Sequence, residues 1–364
     1  MPIMGLSLVV SGRCTGAGRF LLLACFLGLF PVGAGWADVP KLLPVMRISI
    51  ENTATHTQTR AVRRFAEDLA DRTRGRLRVE LYDSARLYRD SQVLGALAAD
   101  RVEMAVPGTW HFDRYEPSVG IFLLPSFYGR SAEAMHAIVD GETGRRVTGK
   151  IEERLSVVVP GRWLDLGHAH IYAVRPVTSR EDMDGLTIRV AGGLANSIRL
   201  EAMGARPLVV PWPDLPARLQ QGDIEGVLTT HETMRSARLW EFGLLYAFED
   251  RQYFPQYIPV IRRNFWRRLP DDLRRLVKDT WESHVEMSRK EAGIAQEEAR
   301  KLLMEHGMRI HRPSEALLIR YRQLLMLGQE AMVTLLDVDP ELYADTLRLL
   351  EGQDGESFLT ESPP

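Results

Sequence analysis

Cysteine is almost absent from this chain of 364 residues, in which only Cys14 and Cys25 occur. The residues after Cys25 therefore form no disulfide and offer no thiolate for catalysis or for zinc. The chain also has no GxSxG turn, no GxxxxGK[ST] loop and no HExxH pair. These absences remove common sequence signatures of hydrolases, nucleotide-binding enzymes and zinc proteases.

An excess of charge of one sign is also missing. The chain has 46 basic and 48 acidic residues, a net charge of −2, and no basic stripe interleaved with aromatic residues. Nucleic acid is therefore not an expected partner. With 45% hydrophobic and 26% charged residues, the composition is that of a soluble globular protein, and the length is sufficient for two domains.

Long hydrophobic runs are limited to the beginning of the chain. Two arginines precede an apolar run over residues 20–32, and small residues flank Trp36. This order predicts a signal peptide over residues 1–37, cleaved after Ala37, and hence a periplasmic protein stabilised by its core without disulfides. Removal of the segment takes away Arg13 and Arg19 but no acid, which moves the net charge from −2 to −4.

Two alternatives to cleavage after Ala37 remain. The first is an uncleaved membrane anchor, for which the apolar run is short and is followed by small residues. The second is a lipid anchor at Cys25, where Leu23 fits the lipoprotein pattern poorly and half of the apolar run would stay on the product.

The pattern after the leader alternates strands and helices, which predicts an α/β protein with mostly parallel sheets. The first series has strands at 45–50, 77–81 and 102–106. Because ligands bind beyond the carboxyl ends of such strands, the loops 52–56, 83–90 and 107–111 are of interest.

A second series begins with strands at 155–159 and 168–174, and residues 161–164 are interpreted as a hinge strand. It continues with strands at 186–190, 207–210 and 224–228. Long helices are predicted at 271–304, 313–336 and 340–350. The expected division is 38–164 plus about 253–285 for the first domain, 165–252 plus about 286–350 for the second, and a frayed tail at 351–364.

Several runs resemble, in order and spacing, the DctP-type solute receptors of TRAP transporters. The clearest is SREDMDGLTIRV at 179–190, and the resemblance spans roughly residues 45 to 300. The other runs are TRGRLRV at 73–79, DRVEM at 100–104, LLPSF at 123–127, MGARPLVVP at 203–211, LQQGDIEG at 219–226 and FWRRLP at 265–270.

This resemblance implies a clamshell of two α/β domains, joined by crossing strands and a long helix, that closes on a ligand. Proteins of this type deliver a small organic acid to a membrane permease and are not enzymes, and no cofactor or metal is expected. The family's carboxylate-binding arginine matches Arg189, which lies at a strand end before a glycine pair. A guanidinium suits this role because it presents paired donors to a carboxylate in a fixed fork.

Two positions depart from the family pattern. A second arginine, present in many relatives, is replaced by Ala169, and an asparagine position is occupied by Thr229. Either His168 or His170 takes the place of the missing arginine, or the ligand has one carboxylate and an apolar body. The second possibility favours a monocarboxylate over a dicarboxylate.

Four further residues are candidates for contact with the ligand. Trp110 follows the third strand, where it is predicted to stack on a flat ligand or to pack at an interface. Asn52 and His56 lie in the first loop, and Arg263 offers another positive charge or a solvated side chain. His168 and His170 have the spacing of two zinc ligands, but the sequence shows no third ligand.

The function predicted from these residues is a periplasmic receptor for a small organic acid, and the residues favour a monocarboxylate. A ligand sensor of a two-component system with the same fold, a periplasmic enzyme and a structural protein are the alternatives. A monomer is expected, although the C-terminal helices would also allow a dimer. Packing of these helices onto the second domain is the simpler expectation.

Overall fold

The structure is a computed structural model that describes residues 43–360, with side chains described for residues 43–352. The predicted signal peptide and its cleavage site after Ala37 lie outside the described residues. Within the described part, no helix combines the length and the apolar character needed to cross a membrane.

The elements follow one another as strand–helix units and end in a series of helices. The strands are β1 (Val45–Ser49), β2 (Arg78–Tyr82), β3 (Met104–Ala105), β4 (Val157–Val158), β5 (Leu164–Asp165), β6 (Ala169–Ala173), β7 (Thr187–Val190), β8 (Arg206–Val209), β9 (Gly226–Thr229), β10 (Tyr246–Tyr253), β11 (Gln256–Tyr257), β12 (Val260–Arg262) and β13 (Arg309–His311). The helices are α1 (Thr57–Thr73), α2 (Asp90–Ala98), α3 (Ala132–Val139), α4 (Glu142–Arg154), α5 (Leu194–Ala202), α6 (Leu215–Gln220), α7 (His231–Ser236), α8 (Arg263–Arg268), α9 (Asp271–Glu305), α10 (Glu315–Met326), α11 (Gln329–Leu336) and α12 (Pro340–Thr360).

The first sheet has the order β2-β1-β3-β12-β4. Strand β1 is parallel to both β2 and β3, with Ile48 opposite Leu81 on one side and Met104 on the other. Helix α1 covers this sheet through buried residues that include Phe65, whose ring meets Trp281 of α9 edge to face at 5.1 Å. The predicted alternation in this part is therefore present, and the strand expected at 155–159 joins this sheet as β4.

The second sheet has the order β13-β10-β6-β9-β7-β8. Strand β7 is parallel to β8 and β9, which places Arg189 between Leu208 and Val227. Strands β6 and β10 pair antiparallel to each other, and β6 is also antiparallel to β9. Because β7 has neighbours on both sides, its residues 188–190 are buried, including the arginine.

Two short strands connect the sheets. Strand β5 follows the first sheet, and β11 returns from the second; they pair with each other, with Gln256 opposite Asp165. The predicted hinge strand at 161–164 thus lies a few residues later in the chain, at β5. Helix α9 has 35 residues, about 52 Å, and contacts α1, α7 and β5. The protein has the two-domain α/β clamshell fold; the exact domain boundaries remain a prediction.

The C-terminal region differs from the sequence-based expectation in three ways. The helix predicted at 313–336 is interrupted at Leu327 and Gly328, which gives α10 and α11. Helix α12 continues to Thr360, so the predicted frayed tail is helical up to that residue, and residues 361–364 lie outside the described range. Helix α12 packs on α3 and α4 rather than on the second sheet, while α11 contacts α5.

Candidate ligand-binding site

Arg189 lies near the carboxyl end of β7 and is only 3% exposed. Its Nε donates to the carbonyl oxygen of Val210 at 2.9 Å, and its guanidinium lies 5.5 Å from the ring centre of Trp212. Within residues 43–352, no carboxylate oxygen lies within 4 Å of this guanidinium and neither Nη has a protein acceptor. Burial lowers the pKa of Arg189 from 12.5 to about 10, so the side chain stays cationic but is poorly compensated.

Arg199 provides a comparison within the same molecule. It is also fully buried, and burial likewise lowers its pKa to about 10. However, its Nε donates to Gln252 Oε1 at 3.0 Å, its Nη2 donates to Asn196 Oδ1 at 2.7 Å, and its Nη1 donates to the carbonyl oxygen of Leu123. Arg199 is thus satisfied by the fold, whereas Arg189 retains free donors.

Arg189 faces an inner cavity of about 40 Å³. This volume is sufficient for a carboxylate group or a small number of water molecules. An outer cavity of about 410 Å³ opens beside it. The two cavities share four lining residues, namely Glu51, Trp110, Ala191 and Trp212. A ligand with a carboxylate head and a larger body therefore fits the pair of cavities.

Trp110 contributes to the walls of both cavities. It follows β3 in a 3-10 turn, is 8% exposed and meets Tyr257 edge to face at 5.8 Å. Its indole Nε1 is buried and has no hydrogen-bond partner. The ring packs so closely on Gly108 that a Cβ there would lie 2.3 Å from ring atoms, and a Cβ on Gly192 would lie 3.0 Å from the backbone oxygen of Trp110. The glycines after β7 therefore allow this close approach.

The first loop forms the opposite wall. Asn52 lines the inner cavity and donates through Nδ2 to Tyr257 Oη at 2.7 Å and to Gln58 Oε1 at 2.6 Å. His56 lies behind this wall, where its Nδ1 accepts the Gln58 N–H as the cap of α1 and its Nε2 meets Thr233 Oγ1 at 3.3 Å. Burial lowers the pKa of His56 to about 3, so it is a neutral structural residue. It does not line either cavity.

The alternation of side chains between the two faces of strand β6 places Ala169 on the opposite face from its two histidine neighbours. Ala169 and Thr229 line the inner cavity, whereas His168 and His170 line a different cavity of about 570 Å³. Alternate residues of a strand face opposite sides, so no histidine next to Ala169 replaces the missing arginine. His168 instead donates from Nε2 to the carbonyl oxygen of Arg130 at 2.8 Å.

Arg263 also lies outside the site. It begins α8, and its Nη2 donates to the carbonyl oxygens of Glu152 and Val157 at 2.6 and 2.7 Å. The first contact ties α8 to the last turn of α4, where carbonyl groups lack intrahelical partners, and the second ties it to β4. The prediction of a second ligand-binding charge at Arg263 is therefore wrong.

Two carboxylates at the site escaped the sequence analysis. Glu51 lines both cavities and Asp90 lines the inner one. Burial, partly opposed by Arg189 and Arg89, raises the pKa of Glu51, and burial together with Glu51 raises the pKa of Asp90 well above its ordinary value. Glu51 directly precedes the predicted loop 52–56, and Asp90 is the last residue of the predicted loop 83–90. The strand pattern therefore predicts the loops that line the cavities but does not single out these two carboxylates.

Loops of the two sheets also contact each other around the cavities. Asp113 Oδ2 accepts the N–H of Leu194, the first residue of α5, at 2.7 Å. Arg89 Nη1 lies 2.8 Å from Asp214 Oδ2. These two contacts join loops that extend from the first sheet to loops of the second sheet.

Comparison with known proteins agrees with this architecture. The family model "bacterial extracellular solute-binding protein, family 7", DctP, matches residues 48–325. The C4-dicarboxylate-binding periplasmic protein DctP of Rhodobacter capsulatus is 27% identical over 239 residues, which cover 65% of this chain and 70% of that protein. The 2,3-diketo-L-gulonate-binding periplasmic protein YiaO of Escherichia coli is 23% identical over 241 residues, 65% and 72% of the two chains.

Solved structures show the same fold. A TRAP periplasmic solute binding protein from Ralstonia eutropha H16 with bound (S)-2-acetolactate has a TM-score of 0.78 at 19% identity, with 85% of this chain and 99% of that chain covered. One from Sulfurospirillum deleyianum with bound succinate has a TM-score of 0.77 at 19% identity, with 84% and 99% covered. The resemblance read from the sequence is confirmed, and the protein is a solute receptor rather than an enzyme. The chain belongs to the DctP family of bacterial extracellular solute-binding proteins, family 7.

Proposed function

We propose that this protein is the periplasmic receptor of a TRAP transporter and that it binds a small monocarboxylate through Arg189. The observation that carries the proposal is a buried guanidinium that lies at the inner cavity and has two Nη groups that lack protein acceptors among residues 43–352. An unpaired buried cation is costly, and an incoming carboxylate removes this cost while forming paired charge-assisted hydrogen bonds.

The cavity walls support one carboxylate rather than two. Ala169 stands where many relatives have a second arginine, and no further unpaired cation lines the inner cavity within the described residues. Relatives do bind compact acids, among them (S)-2-acetolactate in the Ralstonia eutropha protein. A monocarboxylate places its head at Arg189 and its body against Trp110 and Trp212.

Closure of the two units on the ligand is the proposed mechanism. Among the described elements, the chain passes between the two sheets through the β5–β11 pair and α9, and after β13 it returns so that α12 packs on α3 and α4. Short crossing strands of this kind suit hinge motion. Ligand stabilises the closed form because Arg189 belongs to the second sheet while Asn52 and Trp110 extend from the first. The closed form then delivers the acid to the membrane permease.

A thermal-shift screen of organic acids on the mature protein tests this proposal. A ligand at 100 times its dissociation constant is expected to add about 2.7 kcal/mol to the free energy of unfolding. Arg189→Gln should abolish the shift for every hit. Arg206→Gln is the matched control, because this exposed arginine on the neighbouring strand β8 donates only to the carbonyl oxygen of Gly185.

Two results would count against the proposal. A shift retained by Arg189→Gln would remove the arginine from the site, and an equal loss in Arg206→Gln would indicate a nonspecific effect. Delivery is tested separately by deleting the gene in the host and measuring uptake of the hit acid. Unchanged uptake combined with altered gene expression would support a sensor instead.

A further inference from the structure

We propose that the ligand is a zwitterion, whose carboxylate binds Arg189 and whose cationic nitrogen binds between Glu51 and Asp90. This inference rests on the proposed function and narrows its substrate class to small amino acids, betaines or related compounds. It accounts for charges of both signs that face one small cavity.

The two carboxylates lie close together without a cationic partner. Glu51 Oε1 accepts the backbone N–H of Asp90 at 3.2 Å, and Asp90 itself is 5% exposed. His111 Nε2 lies 3.9 Å from Asp90 Oδ2, too far for a hydrogen bond. Burial holds the pKa of His111 at about 3, so this histidine is neutral and supplies no positive charge.

The nearby arginines do not neutralise the acids. Arg89 is paired with Asp214 at 2.8 Å, and Arg114 stacks on the ring of Tyr115 at 4.8 Å. Arg189 acts on Glu51 only at longer range, since no carboxylate oxygen among residues 43–352 lies within 4 Å of its guanidinium. The site therefore holds an unpaired cation and an unpaired acid pair at the same time.

The charge balance distinguishes a zwitterion from a plain acid. A simple monoanion would satisfy Arg189 but would give Glu51 and Asp90 no cationic partner. A molecule with a cationic nitrogen satisfies both ends, so each buried charge gains a partner of opposite sign.

The geometry of the cavities also suits a cationic nitrogen. One donor atom each of Glu51, Asp90 and His111 lies within 4.8 Å of the others, so the three surround a space for a single charged centre. The rings of Trp110, Trp212 and Tyr257 line the inner cavity, and aromatic faces attract cations. Because Arg189 lines this cavity too, the charged centre is expected to arrive together with a carboxylate rather than as a free metal ion.

Pairs of isosteric ligands test this inference. The first pair is glycine betaine and 3,3-dimethylbutanoate, which have nearly the same shape but differ in the cationic nitrogen. Two further pairs extend the comparison in the same way: proline with cyclopentanecarboxylate, and 4-aminobutanoate with pentanoate. Affinities are measured by calorimetry on mature wild-type protein and on Glu51→Gln, Asp90→Asn and Arg189→Gln. Glu67→Gln, an exposed carboxylate change on α1, is the matched control.

The zwitterion of at least one pair is expected to bind about tenfold or more tightly than its carbon isostere. Glu51→Gln should reduce this preference, because it weakens binding of the zwitterion and removes an acid beside the bound carboxylate of the isostere, and Glu67→Gln should change the affinity for neither. Equal affinities in wild type, or a preference that survives both Glu51→Gln and Asp90→Asn, would overturn the inference but not the proposed function. So would binding of plain acids that requires added Ca²⁺, because a metal would then occupy the acid pair.

Failure of the proposed function would give a different result in these binding measurements. In that case no compound of either set binds, or Arg189→Gln binds them as wild type does. Folding of each variant is checked by its melting temperature without ligand, which separates loss of binding from loss of structure.

Discussion

Replacement of Arg189 by methionine is expected to stabilise the ligand-free protein while it abolishes ligand binding. Burial lowers the pKa of Arg189 from 12.5 to about 10, which corresponds to about 3 kcal/mol of unfavourable free energy for the buried charge. The hydrogen bond to Val210 and the contact with the Trp212 ring offset about 2 kcal/mol of this cost. Methionine keeps most of the volume and adds apolar burial, so a net gain of about 1–2 kcal/mol is expected.

Arg199→Met is the control, because Arg199 is equally buried and has the same lowered pKa. Its loss would leave acceptors on Gln252, Asn196 and Leu123 buried without donors. Each such acceptor costs about 1–3 kcal/mol, or about 6 kcal/mol for the three, so the variant should be destabilised by about 3 kcal/mol after the same gain of about 3 kcal/mol from removal of the buried charge is subtracted. The two substitutions are chemically identical, so the difference between them reports only on the surroundings of each guanidinium.

Differential scanning calorimetry on protein freed of copurified ligand by denaturation and refolding provides the measurement. Arg189→Met should raise the melting temperature by about 2–4 °C, whereas Arg199→Met should lower it. If both variants lose stability to a similar extent, Arg189 is a structural residue and the assignment of the ligand carboxylate to it is refuted.

Three further predictions concern the loops, the core and protons. Arg89→Ala removes the exposed pair with Asp214 and should weaken ligand affinity at most about fivefold, with the difference vanishing at high salt; a hundredfold loss in calorimetry would contradict this. Burial raises the pKa of Asp250 to about 7, so wild type should lose stability relative to Asp250→Asn as pH rises from about 4 to about 7 in melting experiments, and a constant difference would contradict this. A bound cation favours the ionised forms of Glu51 and Asp90, whose pKa values are raised in the free protein, so the affinity for a zwitterion should increase with pH across the range in which these groups titrate; an affinity that does not change with pH would contradict this.

Much of the fold follows from local patterns in the sequence. Alternating apolar residues predict β1, β2 and β7 to within one or two residues of their observed bounds. The rule for open α/β sheets also pointed to the loops 52–56, 83–90 and 107–111, which contain or adjoin most first-sheet residues of the cavities. Arg189 was predicted from its place at a strand end before two glycines, together with the family resemblance.

The errors have a common physical origin in long-range packing. Residues 168–170 read as a strand, but only the sheet neighbours decide which face meets the ligand, and β6 turns Ala169 rather than the histidines toward it. The sequence does not show that Arg263 donates to carbonyl oxygens of α4 and β4, because these acceptors lie more than 100 residues away in the chain. The break at Gly328 was missed because the apolar period continues through it, while α10 and α11 pack on different partners.

Residues with unsatisfied charge mark the site more clearly than exposure or motif does. The fold gives each guanidinium nitrogen of Arg199 an acceptor, one of which, Gln252, also donates to Asp250. Among residues 43–352, by contrast, the Nη groups of Arg189 have no acceptor, and the nearby acid pair of Glu51 and Asp90 has no cationic partner. Such an arrangement lowers the free energy of unfolding of the ligand-free protein. This stability is regained only when a molecule with complementary charges binds. The selectivity of the receptor would then come from this deficit: a ligand lacking either charge leaves one buried group unpaired, and closure over it is disfavoured by the desolvation cost of that group.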